Sequence, residues 1–145
     1  MNTVFSKTYI TNSPEETFEL GKKYGEGIEK GEAILMFGEA GAGKTVFTKG
    51  LATALDIKER ITSPTFALRN DYEGKFALHH LDMYRVEDES EIYESGALED
   101  IFGDNDVAVI EWAENIDGFV DFPHTEITVK YDGESKRTVE IVKKA

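Results

Sequence analysis

The fold of this chain follows from one stretch, Gly38-Glu39-Ala40-Gly41-Ala42-Gly43-Lys44-Thr45. It fits the pattern G-x-x-x-x-G-K-[ST] of a phosphate-binding loop. Five apolar residues, 33–37, precede it, as is typical of a buried parallel strand. Apolar residues at helical spacing follow it, namely Phe47, Leu51, Ala54 and Leu55. The pattern therefore predicts a strand, a loop and a helix, in the order that P-loop proteins use.

The residue types of this loop suit the binding of a nucleotide's phosphates. Its glycines allow successive backbone N–H groups to point inward, and the N-terminus of the helix adds a positive dipole. Lys44 can then reach the β- and γ-phosphates, and the hydroxyl of Thr45 can bind Mg²⁺. The alternative is a glycine-rich turn before a helix, which the flanking strand and helix disfavour. The predicted nucleotide-binding residues are Glu39, Ala40, Gly41, Ala42, Gly43, Lys44 and Thr45.

Length and composition limit the class of protein. A chain of 145 residues predicts one domain, 1–145, with a single core. The absence of cysteine excludes disulfides, zinc thiolates and a cysteine nucleophile. The N-terminal residues have no apolar segment typical of a secretory signal, and the apolar runs are too short to span a membrane. We therefore expect a soluble, cytoplasmic protein without a membrane partner.

The net charge of −13 is concentrated in one segment. Between Val86 and Pro123 the chain has thirteen acidic residues and no lysine or arginine. Because contacts to phosphate groups need basic residues, such a protein is a poor autonomous binder of nucleic acid. The acidic segment is either a solvated helix face with loops or a surface that docks on a basic patch of another protein.

The rest of the chain predicts an α/β fold. Strands are expected at 7–11 and 106–112. One helix is expected to be capped by Ser13 and to begin at Pro14, and a second, at 87–95, to end at Gly96. Three glycines weaken the helix after Ser13 and are candidates for its end: Gly21, Gly25 and Gly27. Alternating segments predict two β-hairpins, 66–72 with 76–81 and 125–131 with 136–142. The predicted architecture is a P-loop NTPase-like domain with a partly parallel central sheet, added antiparallel hairpins and flanking helices.

Four residues outside the loop are candidates for chemistry. Glu111 and Asp82 each end a predicted strand, and ligands of open α/β sheets bind at the carboxyl ends of the strands. Either carboxylate could serve Mg²⁺ or the attacking water, or be a surface acid. Ser63 and Thr65 lie in a proline-containing loop, where P-loop proteins often carry a segment that senses the γ-phosphate. The alternative for both is an ordinary loop hydroxyl.

Neighbouring residues have weaker signals. His79 and His80 could be general bases, but adjacent positions on a strand point to opposite faces, so at most one faces the site. A structural or surface role is the alternative for either histidine. Arg85 could stabilise developing charge or pair with the acidic segment, and Trp112 fits a core or interface anchor.

Four motifs together resemble the small bacterial ATPase family of tRNA threonylcarbamoyladenosine biosynthesis, TsaE. Besides the phosphate loop they are Thr62-Ser63-Pro64-Thr65-Phe66, His80-Leu81-Asp82-Met83-Tyr84-Arg85 and Ile110-Glu111-Trp112-Ala113-Glu114. Order, spacing and length all fit. The family more often has Asp-Leu where this chain has Glu39-Ala40, and Pro at Ala113. These differences leave Lys44, Thr45 and Glu111 in place.

The resemblance implies an ATPase, weak alone, that uses ATP and Mg²⁺. It would act with a threonylcarbamoyl-transferase subunit and that subunit's inactive paralogue, reaching tRNA position 37 only through that complex. By position, the resemblance assigns phosphate binding to Lys44, magnesium to Thr45 and Glu111, and assistance of hydrolysis to Asp82. It assigns nucleotide sensing to the loop of Ser63 and Thr65, and makes Thr11 a candidate for the adenine side. The alternatives are a small-molecule phosphotransferase and a nucleotide-gated adaptor without turnover.

Overall fold

The computed structural model describes residues 1–39, 42–64, 68–101, 103, 105–112 and 120–145. Within these ranges the chain forms three helices and one seven-stranded sheet. The strands are β1 (Thr3–Thr11), β2 (Ala33–Phe37), β3 (Arg69–Tyr72), β4 (Ala77–Asp82), β5 (Asp106–Glu111), β6 (His124–Tyr131) and β7 (Arg137–Lys144). The helices are α1 (Pro14–Glu26), α2 (Lys44–Ala54) and α3 (Glu89–Ser95).

The sheet combines a parallel centre with antiparallel edges, in the order β1-β7-β6-β2-β5-β4-β3. Strands β6, β2, β5 and β4 run parallel to one another. Strands β7 and β1 extend this centre on one side, and β3 pairs with β4 on the other, all in antiparallel pairs. The predicted fold class is thereby confirmed. The carboxyl ends of four neighbouring strands lie at one edge of the sheet, beside the phosphate loop.

Both hairpins form where they were predicted. Strand β3 begins at Arg69, and Phe66, where the first arm was predicted to begin, lies outside the described residues. Strand β1 is longer than expected, since it begins at Thr3. Strand β1 pairs with β7 along its length, and backbone hydrogen bonds join Asn2 to Ala145 in both directions at 3.1 and 3.0 Å. The two ends of the chain therefore lie side by side at one edge of the sheet.

Helices α1 and α2 approach each other closely through glycines. A Cβ at Gly21 would collide with the carbonyl oxygen of Phe47, and a Cβ at Gly50 would collide with that of Phe18. Gly25 faces the backbone of Leu51 in the same way. The expectation that Gly21 is a candidate for the end of α1 is wrong, because it lies in the interior where the two helices are in close contact, whereas Gly25 lies in the last turn of α1. Gly27 is the C-terminal cap.

Predicted capping signals also appear in the structure. The hydroxyl of Ser13 accepts a hydrogen bond from the backbone N–H of Glu16 at 3.1 Å, and Pro14 begins α1. Gly96 ends α3 with a φ of 68°, a left-handed conformation that favours glycine. Within the described ranges, no helix is long and apolar enough to cross a membrane.

The sheet is buried on both faces by different elements. Along β2, Ile34 and Met36 contribute to a cluster with Phe47 and Leu51 of α2, whereas Leu35 contributes to a second cluster on the other face. The second cluster includes Ile92 of α3 and residues of the turn that follows it. Because both faces are covered, β2 and β5 are apolar almost throughout, as in other parallel sheets.

Candidate functional site

The phosphate loop joins β2 to α2 and depends on two glycines with positive φ. Gly38 has a φ of 133°, and a Cβ there would collide with the carbonyl oxygen of Val129. Gly43 has a φ of 116° and caps the N-terminus of α2, where the backbone N–H of Phe47 donates to its carbonyl at 3.0 Å. Other residues would be strained at both positions. Ala40 and Gly41, both predicted to bind nucleotide, lie outside the described residues.

A cavity of about 330 Å³ opens beside this loop. We call it the phosphate-side cavity. Lys44 and Thr45 of the predicted phosphate loop line it together with the predicted acids Asp82 and Glu111 and the hydroxyl residue Ser63. Its other lining residues are Gly43, Val46, Tyr84 and Trp112. The fold thus brings together side chains from four separate segments of the sequence at the carboxyl edge of the sheet.

Lys44 is held at the wall of this cavity. It is only 5% exposed, and its Nζ donates to the carbonyl of Gly38 at 2.8 Å. The same ammonium lies 4.0 Å from the centroid of the Trp112 ring, a cation–π distance. The positive charge is therefore kept next to the loop without an acidic partner among the contacts described for it. An anionic ligand in the cavity would complete its coordination.

The two predicted acids are in register on neighbouring strands, since Asp82 of β4 pairs with Glu111 of β5. Asp82 accepts hydrogen bonds from the hydroxyl of Ser63 and from the backbone N–H of Tyr84, both at 2.9 Å. These contacts connect the proline-containing loop to the end of β4. Thr65, the second hydroxyl predicted in that loop, lies outside the described part of the chain.

Glu111 is buried, with 4% of its surface exposed, and its Oε2 lies 2.6 Å from Nε2 of His80. Thr45 and Glu111 offer the hydroxyl and carboxylate oxygens that Mg²⁺ prefers, and both line the same cavity. Proteins commonly hold Mg²⁺ with one or two such groups and the phosphates of the substrate. The residues present therefore fit a magnesium nucleotide.

Trp112 follows Glu111 with a φ of 57°, a strained value for a residue with a side chain. Its ring packs 4.8 Å from that of the exposed Tyr84 and over Lys44, so it forms a wall of the phosphate-side cavity. The sequence predicted that Trp112 is a core or interface anchor. Its position directly after the strand-end acid Glu111 was the one sequence signal for a role at the cavity.

The remaining candidates lie apart from this cavity. Thr11 is buried at the end of β1, where its hydroxyl lies 2.7 Å from that of Thr17. Glu39 is exposed and lines a neighbouring cavity of about 540 Å³ with Trp112 and residues 128–131. His79 turns away from the site, toward Asp71 at 2.6 Å. Arg85 is exposed.

One contact of the loop was not predicted from the sequence. The Nε of Arg137 donates to the carbonyl of Ala42 at 3.0 Å, while its guanidinium lies 4.4 Å from the Tyr131 ring centroid. Arg137 begins β7 and pairs with Thr11, so the edge strands support the phosphate loop from behind. These residues are far apart in the sequence, and no local pattern signals the contact.

Comparison with known proteins identifies the family. The family model described as threonylcarbamoyl adenosine biosynthesis protein TsaE matches residues 11–139. A tRNA threonylcarbamoyladenosine biosynthesis protein TsaE of Treponema pallidum is 37% identical over 134 residues, covering 90% of this chain and 97% of the relative. The Bacillus subtilis protein of that name is 36% identical, covering 89% and 80% of the two chains.

A solved structure agrees with these sequence comparisons. The crystal structure of Bacillus subtilis YdiB superimposes with a TM-score of 0.78 at 28% identity, covering 99% of this chain and 88% of YdiB. The match therefore includes the edge strands as well as the parallel centre. On the family model and these relatives together, the chain belongs to the TsaE family.

Proposed function

We propose that this protein binds and hydrolyses ATP with Mg²⁺, in support of threonylcarbamoyladenosine modification of tRNA at position 37. One observation carries the proposal: a phosphate loop and two strand-end carboxylates line the same cavity. Loop, lysine, hydroxyl and acid are the parts from which P-loop proteins assemble a site for phosphoryl transfer to water. Membership of the TsaE family, which fits a P-loop ATPase-like protein, supplies the biological context.

The proposed roles follow from the side chains at the cavity. Lys44 binds the β- and γ-phosphates, exchanging the carbonyl of Gly38 for phosphate oxygens. Thr45 and Glu111 hold Mg²⁺. When bound, Mg²⁺ would neutralise charge on the phosphate oxygens during transfer. The backbone N–H groups of residues 39–45, which include Ala40, Gly41, Ala42 and Gly43, are proposed to surround the phosphates.

Asp82 is proposed to assist hydrolysis. One of its oxygens accepts from Ser63 and the other from the backbone of Tyr84, so the carboxylate is held in one orientation at the cavity. An acceptor fixed in this way can orient an attacking water. Ser63 would report the γ-phosphate through its hydrogen bond to Asp82, and Thr65 is proposed to belong to the same sensing loop. Thr11, whose strand supports the loop through Arg137, is proposed to lie on the adenine side.

The charge of the molecule supports an indirect role toward tRNA. The net charge of −13 opposes autonomous binding to a polyanion. We therefore propose that the protein acts in the cytoplasm through the threonylcarbamoyl-transferase subunit and its inactive paralogue. Exposed acids of α3, among them Glu91 and Glu94, would dock on a basic surface of that complex.

Phosphate release from ATP and Mg²⁺ tests the proposal. We expect weak release by the wild type, stimulation by the transferase complex, and loss of both in Lys44→Ala. Charge reversal in the double variant Glu91→Lys, Glu94→Lys should reduce the stimulation and leave release by the isolated protein unchanged. Stimulation that survives this reversal would remove α3 from the docking surface.

The same assay separates the alternative functions. Tight ATP binding without phosphate release, even with the complex present, would indicate a nucleotide-gated adaptor. Phosphate transfer that requires a small-molecule acceptor would indicate a phosphotransferase. Release that depends on neither Lys44 nor Mg²⁺ would contradict the proposed site altogether.

A further inference from the structure

His80 lies behind the acid that is proposed to hold Mg²⁺. It is fully buried, with 0% of its surface exposed, and its Nε2 lies 2.6 Å from Oε2 of Glu111. In the sheet, its backbone pairs with Val109, two residues before that acid on β5. His80 is not among the residues that line the phosphate-side cavity. It therefore contacts the carboxylate from the interior and not from the ligand's side.

The contact with Glu111 assigns one ring proton of His80. A carboxylate oxygen can only accept, so the proton of this bond belongs to Nε2 of His80. The other ring nitrogen, Nδ1, is buried and has no hydrogen-bond partner among the described residues. A proton on Nδ1 would be an unsatisfied donor, which is costly in the interior. Hydrogen on Nε2 is thus the arrangement that suits the contact with Glu111.

Among the described residues, this arrangement leaves Oε1 of Glu111 without a side-chain hydrogen bond. Among the described residues, His80 is the one side chain that hydrogen-bonds the carboxylate of Glu111, and it does so at Oε2. A fixed Oε2 determines the direction in which Oε1 points. Groups that hydrogen-bond a metal-binding side chain from behind commonly fix its orientation, and losing them typically costs about 10–100-fold in metal affinity or activity.

We propose that His80 is the positioning residue of Glu111, holding Oε2 through Nε2–H so that Oε1 is presented to Mg²⁺. This role rests on the proposed function, in which Glu111 holds the metal of a bound nucleotide. It differs from that of a general base, which the sequence left open for His80, because the proton on Nε2 is already donated to Glu111. His80 acts through Glu111 and does not touch the reacting atoms.

The neighbouring histidine provides a matched control. His79 is also well buried, at 8% exposure, but its ring points to the other side of β4. There its Nδ1 lies 2.6 Å from Asp71, and its Nε2 lies 3.3 Å from Asp106. The same substitution at these two adjacent positions therefore removes a similar side chain from the same strand. At only one of the two positions is the contact with Glu111 lost.

The test is a titration of the protein–ADP complex with Mg²⁺, followed by the fluorescence of Trp112, the only tryptophan of the chain. Three variants are compared: His80→Asn, His80→Gln and His79→Asn. Glutamine places an amide N–H near the position of Nε2, whereas asparagine is too short to reach Glu111. We expect His80→Asn to weaken Mg²⁺ binding about 10–100-fold, and His80→Gln to recover most of it. His79→Asn should behave as the wild type, and ADP affinity in EDTA should be unchanged throughout.

Each result has a distinct meaning. If His80→Asn binds Mg²⁺ as tightly as the wild type, His80 is only a core residue. The same conclusion follows if the variant loses as much affinity for ADP in EDTA as it loses for Mg²⁺. If His80→Asn does not fold, the ¹⁵N shifts of the wild-type ring decide: protonated Nε2 with bare Nδ1 supports the proposal, and protonated Nδ1 overturns it. A wild type that binds ADP but not Mg²⁺ would overturn the proposed role of Glu111, and with it that of His80.

Discussion

Two cavities of similar size lie at opposite ends of the parallel strands, and only one resembles an active site. The phosphate-side cavity measures about 330 Å³ and the second, which we call the amino-end cavity, about 310 Å³. The amino-end cavity lies near the starts of β2 and β6, and α1 covers it. Its lining residues are Phe5, Tyr9, Leu20, Lys23, Tyr24, Gly27, Glu29, Glu32, Thr125, Ile141 and Lys143.

Glu32 at the amino-end cavity and Glu111 at the phosphate-side cavity have carboxylates with different hydrogen-bond partners. Glu32 accepts hydrogen bonds from the hydroxyls of Tyr24 and Thr125 and from the backbone N–H of Glu29. Burial, together with the nearby charge of Glu32, raises the pKa of Tyr24 well above its usual range, so its hydroxyl remains a donor. Glu111 has His80 as its one side-chain partner among the described residues. The volumes of the two cavities therefore do not distinguish them. They differ in how many hydrogen bonds the carboxylates of Glu32 and Glu111 can still make to a ligand.

The largest expected effect comes from replacing Glu111 with alanine, in comparison with the same replacement of Glu32. Glu111→Ala should lower Mg²⁺-dependent phosphate release about 100-fold or more, because charge held by a metal is worth several kcal/mol in phosphoryl transfer. Glu32→Ala should leave release unchanged but lower the free energy of unfolding by about 1–3 kcal/mol, since it leaves buried hydroxyls without an acceptor. Phosphate release and urea denaturation measure the two effects.

A crossed result would break the comparison. If Glu32→Ala impairs phosphate release in protein that is still folded, the amino-end cavity contributes to function. If Glu111→Ala retains release, the essential carboxylate is Asp82, the other acid at the phosphate-side cavity.

An intermediate effect is expected at the contact between α1, which covers the amino-end cavity, and α2, which lines the phosphate-side cavity. Gly50 of α2 packs on the backbone of Phe18 and Lys22 in α1. Gly50→Ala should lower the free energy of unfolding by about 1–3 kcal/mol through overpacking, offset by up to about 1 kcal/mol of improved helix propensity. Because α2 begins with Lys44, nucleotide affinity should fall as well. Urea denaturation and ADP titration measure both effects. Gly27→Ala is the control, because a Cβ there would make only an ordinary van der Waals contact, 3.9 Å from the carbonyl oxygen of Tyr24.

The smallest effect concerns Asp71, a structural carboxylate like Glu32. Partial burial acts to raise its pKa, but hydrogen bonds and charge from Arg69 and His79 outweigh this and lower the pKa below 3.8. Its stabilising contribution is therefore present above the unfolded pKa and lost as the pH falls through the lower, folded pKa. Because the Asp71 side chain is 55% exposed, we expect the contribution to be below about 1 kcal/mol.

The variant Asp71→Asn isolates this contribution. The difference in unfolding free energy between wild type and variant should be constant near neutral pH, begin to fall near the unfolded pKa of about 4, and vanish once the pH is below the lower, folded pKa. A difference that persists unchanged in acid would show that the carboxylate contributes through packing and not through its charge.

Local sequence patterns predicted the elements of the fold better than the contacts between them. The phosphate loop, the caps at Ser13 and Gly96 and both hairpins each depend on residues close together in the sequence. The role of Gly21 inside α1 was misread because helix propensity alone disfavours glycine, while its contact, Phe47, lies 26 residues further along the chain.

The site was predictable only in part for the same reason. Their position at the ends of predicted strands was sufficient to predict Asp82 and Glu111 as site residues. The phosphate-loop motif was sufficient to predict Lys44 and Thr45. The bond between His80 and Glu111 depends on the register of β4 against β5, and the support of Ala42 by Arg137 depends on an edge strand at the other end of the chain. Neither register nor strand order can be read from spacing in a single sequence.

The pairing of the first strand with the last has a consequence for how the protein folds during synthesis. Within the described sheet, β1 pairs with β7 and with no other strand, so it stays unpaired on the ribosome until β7, which begins at Arg137, emerges. Strand β2 likewise waits for β5 and β6. Contacts of such long sequence separation slow folding and prolong the exposure of unpaired strands. Joining the adjacent ends and opening the chain at the Glu73–Lys75 turn would give a permutant in which β7 and β1 are consecutive, and its folding should be faster.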